Sequence, residues 1–296
     1  MTTSNNSSPI LLAYSGGLDT SFCVPWLKET YGRPVITACV NTGGLDAAAA
    51  KSLEDRAMAL GATEHVLIEA RDIFFHRVLK YLIAGNVRRG QLYPMCVGAE
   101  RGIQATLLAE LAKKRGTATV AHGCTAAGND QVRFEVALKT INPGLEIIAP
   151  VRDQSFVREE QVAYLQAGNY PMPPSGAKYS INRGLWGVSI GGKETLTSAD
   201  TIPEDAWVLS SGAFDKPQAP QEIVIGFDEG VPVTINGEEL APVNLIEKLE
   251  IIAGAYGIGR GIHLGDTVLG TKGRVAFEAP AAEVLLTAHR ELEKLV

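Results

Sequence analysis

The 296-residue chain has few cysteines, no excess of positive charge and no long apolar run, and each shortage narrows what it can do. Cys23, Cys39, Cys96 and Cys124 are scattered, with no CxxC pair and no Cys/His cluster at zinc-ligand spacing. So thin a set excludes a disulfide scaffold and points to a reducing cytoplasm, each thiol reading as a small apolar filler. The 27 Lys+Arg against 33 Asp+Glu leave a net charge of −6, which argues against a nucleic-acid grip. No apolar stretch reaches the length of a bilayer span. Residues 1–8 are polar and uncharged, unlike a secretory signal, and read as a loose tail. Internal repeats are absent, and so is any GxxxxGK[ST] phosphate loop. What remains, 46% hydrophobic and 20% charged residues, is a globular composition with room for one large domain or two ordinary ones.

From Ile10 onward short apolar runs alternate with longer amphipathic ones. Strands are expected at 10–14, 35–40, 65–68, 117–121 and 146–149, and helices at 18–31, 47–60, 73–83, 99–114 and 157–166. Repeated βα alternation with continuous apolar strands predicts an α/β fold, a parallel doubly wound sheet with helices on both faces. Ligands then sit beyond the strand C-terminal ends, near loops 15–20, 41–46 and 122–130. After the breaker-rich stretch from Tyr170 to Gly176 the pattern changes to a hairpin near 222–235, a helix at 244–252, more strand-like sequence and a helix at 281–295. The expected division is a nucleotide-binding domain over 9–170 and an α+β domain over 171–296. The last helix lacks a Gly or Asn stop and reads as cut.

The sharpest motif is Tyr14-Ser15-Gly16-Gly17-Leu18-Asp19-Thr20-Ser21, placed where a strand turns into a helix. Two glycines let the backbone bend close to a ligand, three hydroxyls are at hand, and the helix N-terminus offers unpaired N–H groups. Together these suit a polyphosphate, and the string resembles the PP-loop of ATP pyrophosphatases, which attack the α-phosphate and expel pyrophosphate. A second polar loop, His122-Gly123-Cys124-Thr125 through Asn129-Asp130-Gln131 to Arg133 and Glu135, follows the fourth strand at the same sheet edge.

With both loops the chain resembles the argininosuccinate synthase family from about Ile10 to its last residue. Tyr179-Ser180-Ile181-Asn182, Leu185 to Ser189, Gly257 to Arg260, Lys272-Gly273-Arg274, Glu278-Ala279-Pro280 and Ala288 to Glu293 extend the match. The resemblance implies a PP-loop domain followed by a synthetase domain. It implies a reaction in which ATP, with Mg²⁺, adenylates the ureido oxygen of citrulline and the aspartate nitrogen then displaces AMP. Such chemistry needs no side-chain nucleophile, which fits the lack of a persuasive Ser/His/Asp or Cys/His set. By resemblance, Ala13 to Ser21, His122 and Gly123 enclose ATP, with Val40 near the adenine. Thr125, Asn129 and Asp130 match aspartate-binding positions, and Tyr93, Asn129, Arg133, Ser180 and Ser189 match citrulline contacts. Asp19, Asp130 and Arg133 fall at the reacting groups. Asp130 would pair with the incoming ammonium, and Arg133 suits a carboxylate clamp. Without the resemblance, Ser180 and Ser189 read as solvated hydroxyls on loops, and Trp186 as packing.

Departures from the family pattern cluster on the citrulline side. Val97 stands for a usual Thr, Gly265 for a Glu and Phe277 for a Tyr, with Asp266 one position from the missing carboxylate. Ala126-Ala127 replaces a usual Gly-Lys, removing a cation near the phosphates. The same chemistry on an N-acylated citrulline therefore stays open. The family continues beyond Val296 into further synthetase sequence and a tetramerising arm, so a fragment, a short relative or an inactive nucleotide-binding remnant also stays open, with a homo-oligomer expected. A tRNA-thiolating enzyme would want paired cysteines and a basic face, and has neither.

Overall fold

A computed structural model describes residues 7–126, 129–173, 178–266 and 272–296, without the side chains of Gly265, Asp266 and Lys272. The chain divides into two compact units, one of Met1–Asn41, Leu45–Glu69 and Arg101–Gly176, the other of Thr42–Gly44, Ala70–Glu100 and Ala177–Val296.

In chain order β1 (Ile10–Ala13), α1 (Leu18–Tyr31), β2 (Val35–Asn41), α2 (Ala47–Ala59) and β3 (Glu64–Glu69) come first. The expected helix at 73–83 is a helical run of α3 (Arg71–Phe74), a π-helical turn (Phe75–Leu79) and α4 (Lys80–Ala84). Next are α5 (Glu100–Lys114), β4 (Thr119–Ala121), α6 (Asp130–Ile141), β5 (Glu146–Ile148), α7 (Pro150–Asp153) and α8 (Arg158–Ala167). Beyond these lie β6 (Ser180–Gly184), β7 (Gly187–Gly191), β8 (Ile225–Asp228), β9 (Val231–Ile235), β10 (Glu238–Glu239), α9 (Pro242–Gly254), β11 (Arg260–Asp266), β12 (Lys272–Glu278) and α10 (Pro280–Glu293).

The first unit carries the expected parallel sheet, in the order β3-β2-β1-β4-β5. Side chains alternate along β1: Ile10 and Leu12 join one buried cluster with Phe22, Leu53 and Leu165, while Leu11 joins the other with Leu108, Phe134 and Leu138. Both faces are therefore covered, as continuous apolar strands require. α1 has Gly17 as its N-cap and left-handed Gly32 as its C-cap, and carries Pro25 inside it. The Asp46 carboxylate caps α2 by accepting the Ala49 N–H at 2.8 Å. The chain order reverses direction between β1 and β4, and in open α/β sheets ligands bind at such a switch point.

The second unit is α+β, with a four-stranded antiparallel sheet β11-β12-β7-β6 and a three-stranded sheet β10-β9-β8. Trp186 is buried in it and donates its indole N–H to the Pro94 carbonyl at 3.0 Å, which settles it as satisfied core. Glu278 is fully buried, yet its carboxylate accepts the N–H groups of Val208, Leu209 and Ser210 and the Ser210 hydroxyl. Arg260 bonds both oxygens of Glu204 at 2.7 Å, reaches Ser210 and stacks on Trp207 and Phe214. The sequence blocks around Arg260 and Glu278 thus hold the 204–214 segment in place.

Candidate active site

The loop after β1 is short because the strand ends at Ala13 and the helix begins at Leu18. Gly16 makes the bend, at φ +73°, and a Cβ there would lie 2.4 Å from Leu53 Cδ1. Only glycine fits that conformation and that space. The Ser15 N–H donates to Thr20 Oγ1 at 3.4 Å, and Thr20 Oγ1 donates to the Gly17 carbonyl at 3.3 Å. Arg56, from the last turn of α2, donates to the Gly16 carbonyl at 3.0 Å. Ser15 and Gly17 are exposed at the rim, while Tyr14, Thr20 and Ser21 are buried beneath it. Burial pushes the Tyr14 hydroxyl above its ordinary pKa, with Ser21 and Arg56 opposing. Val40 lies near the C-terminal end of neighbouring β2, packed with Ala13 against the buried cluster.

The loop after β4 meets this bend. A Cβ on Gly123 would lie 3.0 Å from Thr20 Cγ2 and 3.1 Å from Asp19 Cβ, so the two loops already touch at the sheet's switch point. His122 is buried, and its Nδ1 accepts the Cys124 N–H at 3.3 Å. The neutral ring therefore carries its proton on Nε2, which faces Glu135 Oε1 at 3.3 Å. Burial lowers the His122 pKa although Glu135 pulls the other way. Glu135 is also paired with Arg152 of α7, and Arg152 reaches Gln131 Oε1 at 3.3 Å. Gln131 in turn donates to the Ala126 carbonyl at 2.7 Å, closing a network around the loop. His122 contributes to the loop's shape through this network, with its ring turned to Cys124 and Glu135.

The polar run expected to continue the 122–130 loop as far as Glu135 is helical from Asp130, which begins a twelve-residue helix. Asp130 and Arg133 are paired with each other at 3.1 Å, and Arg101 of α5 bonds the second Asp130 oxygen at 3.0 Å. Arg101 went unnoticed because its partner lies 29 positions away. Thr125 is exposed in the loop, and Asn129 stands at the start of α6. Ala127 lies outside the described residues. Burial raises the Cys39 thiol to about 11 and the Cys96 and Cys124 thiols to about 12, so they stay protonated at neutral pH.

The remaining matched positions lie in the second unit. Ser180 and Ser189 are strand residues of β6 and β7, a correction to their reading as loop hydroxyls. The register pairs Ser180 with Gly191, Asn182 with Ser189 and Ser189 with Phe277, so both serines share one sheet face with Phe277. On that face the Tyr93 ring packs edge-on against Phe277 at 5.1 Å and stacks on His263 at 5.1 Å. Burial raises the Tyr93 hydroxyl's pKa and lowers that of His263. Val97 and Phe277 are both buried. Gly265 and Asp266 lie outside the residues whose side chains are described.

Two family models match this chain: "Arginosuccinate synthase N-terminal HUP domain" over residues 9–171 and "Arginosuccinate synthase C-terminal domain" over 179–296. The chain belongs to the argininosuccinate synthase family. Argininosuccinate synthase of Metallosphaera sedula is 42% identical over 287 residues, covering 97% of this chain and 72% of the relative. Those of Methanocaldococcus jannaschii and Lactococcus lactis subsp. cremoris are 41% and 39% identical, with the same coverage. Members of the argininosuccinate synthase family are ATP-dependent ligases, and the chain is one by class. The α/β fold expected from the strand pattern is thereby confirmed from sequence comparison and structure together.

Proposed function

We propose that the chain ligates citrulline to aspartate, forming argininosuccinate, AMP and pyrophosphate. The observation that carries this reading is the contact of Gly123 with Asp19 and Thr20, which sets a phosphate-suited glycine bend directly beside a loop rich in amide and charged groups. The bend and the α1 N-terminus bind the triphosphate through backbone N–H groups and hydroxyls. The ureido oxygen of citrulline attacks the α-phosphorus, the bond to the bridging oxygen breaks, and pyrophosphate leaves with that electron pair. The aspartate amine, having lost its proton, then attacks the ureido carbon and expels AMP. Alignment and neutralisation of phosphate charge supply the rate.

Thr125, Asn129 and Asp130 are assigned to aspartate, and Tyr93, Asn129, Arg133, Ser180 and Ser189 to citrulline. Val40 is assigned to the adenine. Asp19, in the first turn of α1, is the carboxylate best placed to accompany a phosphate-bound Mg²⁺. An ion of this kind is held mainly by phosphate oxygens and water. Mg²⁺ would supply charge neutralisation on the phosphates. A cytoplasmic homo-oligomer is the setting this reading carries.

Phe277, on the sheet face beside Tyr93, and Val97 are both buried and apolar, and favour as a second reading an N-acylated citrulline without a free ammonium. The test is pyrophosphate release from ATP with aspartate and, in turn, citrulline, N-acetylcitrulline and N-succinylcitrulline. Release with AMP formation that requires both amino acids is expected. A lost charged hydrogen bond costs about 1.5–3 kcal/mol, so an acyl preference should show as a roughly 10- to 150-fold difference in kcat/KM. Equal or better use of free citrulline removes the second reading. ADP formation, or nucleotide binding without turnover, removes the first.

A further inference from the structure

The Asp130 carboxylate is bracketed by two guanidinium groups of different origin. Arg133 Nη1 donates to Oδ1 at 3.1 Å from the next turn of the same helix. Arg101 Nε donates to Oδ2 at 3.0 Å from the first turns of α5, while its Nη1 donates to Gln104 Oε1 at 2.9 Å. Arg133 therefore moves with Asp130, whereas Arg101 ties it to a second helix. The Arg101 side chain is also more enclosed, 14% exposed against 37% for Asp130 and 31% for Arg133. Cys124 has Asp130, Arg101 and Asp19 among its charged neighbours, which sets this cluster beside the loop that touches the glycine bend.

Charge decides what Arg101 adds. Asp130 with Arg133 alone is neutral, and Arg101 makes the cluster +1 at the N-terminal end of α6, where the helix dipole is also positive. Free aspartate carries a net charge of −1 at neutral pH. We propose that Arg101 is a positioning residue that fixes the Asp130 carboxylate and gives its cluster the net positive charge that favours an anionic amine nucleophile. This rests on the ligation reading above. A bare link between α5 and α6 is the alternative, and a partly exposed ion pair of that kind contributes little to stability.

The experiment uses the full chain with Arg101→Met and Arg101→Lys. Pyrophosphate release from ATP and citrulline is followed in a single turnover without aspartate, then KM for aspartate, citrulline and ATP in the steady state, and thermal unfolding. Arg101→Met is expected to raise KM for aspartate at least tenfold while the aspartate-free step stays within threefold. Arg101→Lys, which keeps the charge but not the two-way fork, is expected to recover part of the loss. An unchanged KM for aspartate overturns the proposal, as does an equal rise in all three KM values accompanied by a fall in Tm. If the unsubstituted chain releases no pyrophosphate even with all three substrates, the ligation reading fails and takes this one with it. A working parent with an unaffected Arg101→Met defeats the proposal alone.

Discussion

The two loops at the head of the parallel sheet are held by different means. The bend after β1 is fixed locally, by two glycines and the Ser15, Thr20 and Gly17 contacts, with Arg56 as the cation on its backbone. The turn after β4 is fixed by charge brought from a distance: Arg152 on Glu135 and Gln131, Arg101 on Asp130, and a buried histidine whose protonation must stay correct. A loop that holds phosphate with backbone N–H groups needs little charge of its own. Under the proposed assignment of Thr125, Asn129 and Asp130 to aspartate, the second loop needs charges oriented in advance, and rigid partners to orient them.

The largest expected effect comes from filling the bend. Gly16→Ala places a Cβ 2.4 Å from Leu53 Cδ1 at φ +73°, a left-handed conformation costing roughly 1–2 kcal/mol before the clash is counted. KM for ATP is expected to rise more than tenfold, with KM for aspartate within threefold. Equal rises for both would show that the loops form one mechanical unit. Arg152→Met should come next. It strips Glu135 of its cation and Gln131 of a donor, costing about 1 kcal/mol at this partial exposure. A lower Tm is expected, with several-fold higher KM for aspartate and a smaller change for ATP. Alkylation of Cys124, whose thiol burial raises to about 12, is slow at pH 8, and loss of the Arg152 charge, which pulls that pKa down, should slow it further. A variant that weakens ATP more than aspartate would break the distinction between the loops.

This difference in support also explains what could be read in the sequence. The first loop was legible because its hydrogen bonds, the one from Arg56 excepted, stay within a few residues, and α1 starts at Leu18 and ends at Tyr31 as the pattern indicates. The second was legible only in composition. Val132, Phe134 and Val136 alternate with polar residues as a strand would, and hide α6. Its buried positions are Gln131, Phe134 and Leu138, a helical spacing that begins with a polar side chain bonded to Ala126. Asn129 makes no side-chain cap to announce the helix. The β6–β7 hairpin escaped notice for a related reason: Ser180 to Arg183 are exposed, so β6 shows no apolar alternation.

The smallest effect is a pH dependence, and it tests the comparison most finely. Burial holds the folded-state pKa of His122 below its ordinary value near 6.5. The unfolded chain therefore takes up this proton first, so the stability from neutral His122 is present above about pH 6.5 and is lost as pH falls below it toward the folded pKa. One such group changes stability by at most about 1.4 kcal/mol per pH unit. His65, bonded to Thr37 and in edge contact with Tyr14 beneath the first loop, is lowered by burial as well, so unfolding curves alone mix the two loops. Substrate affinities separate them. A proton on His122 Nδ1 removes the acceptor of the Cys124 N–H and loosens only the second loop. As pH falls below about 6.5 toward the folded pKa of His122, KM for aspartate should rise more than KM for ATP, and His122→Gln should flatten the aspartate profile. Parallel profiles for both substrates, or an aspartate profile that His122→Gln leaves unchanged, would mean that the second loop does not depend on this histidine's charge.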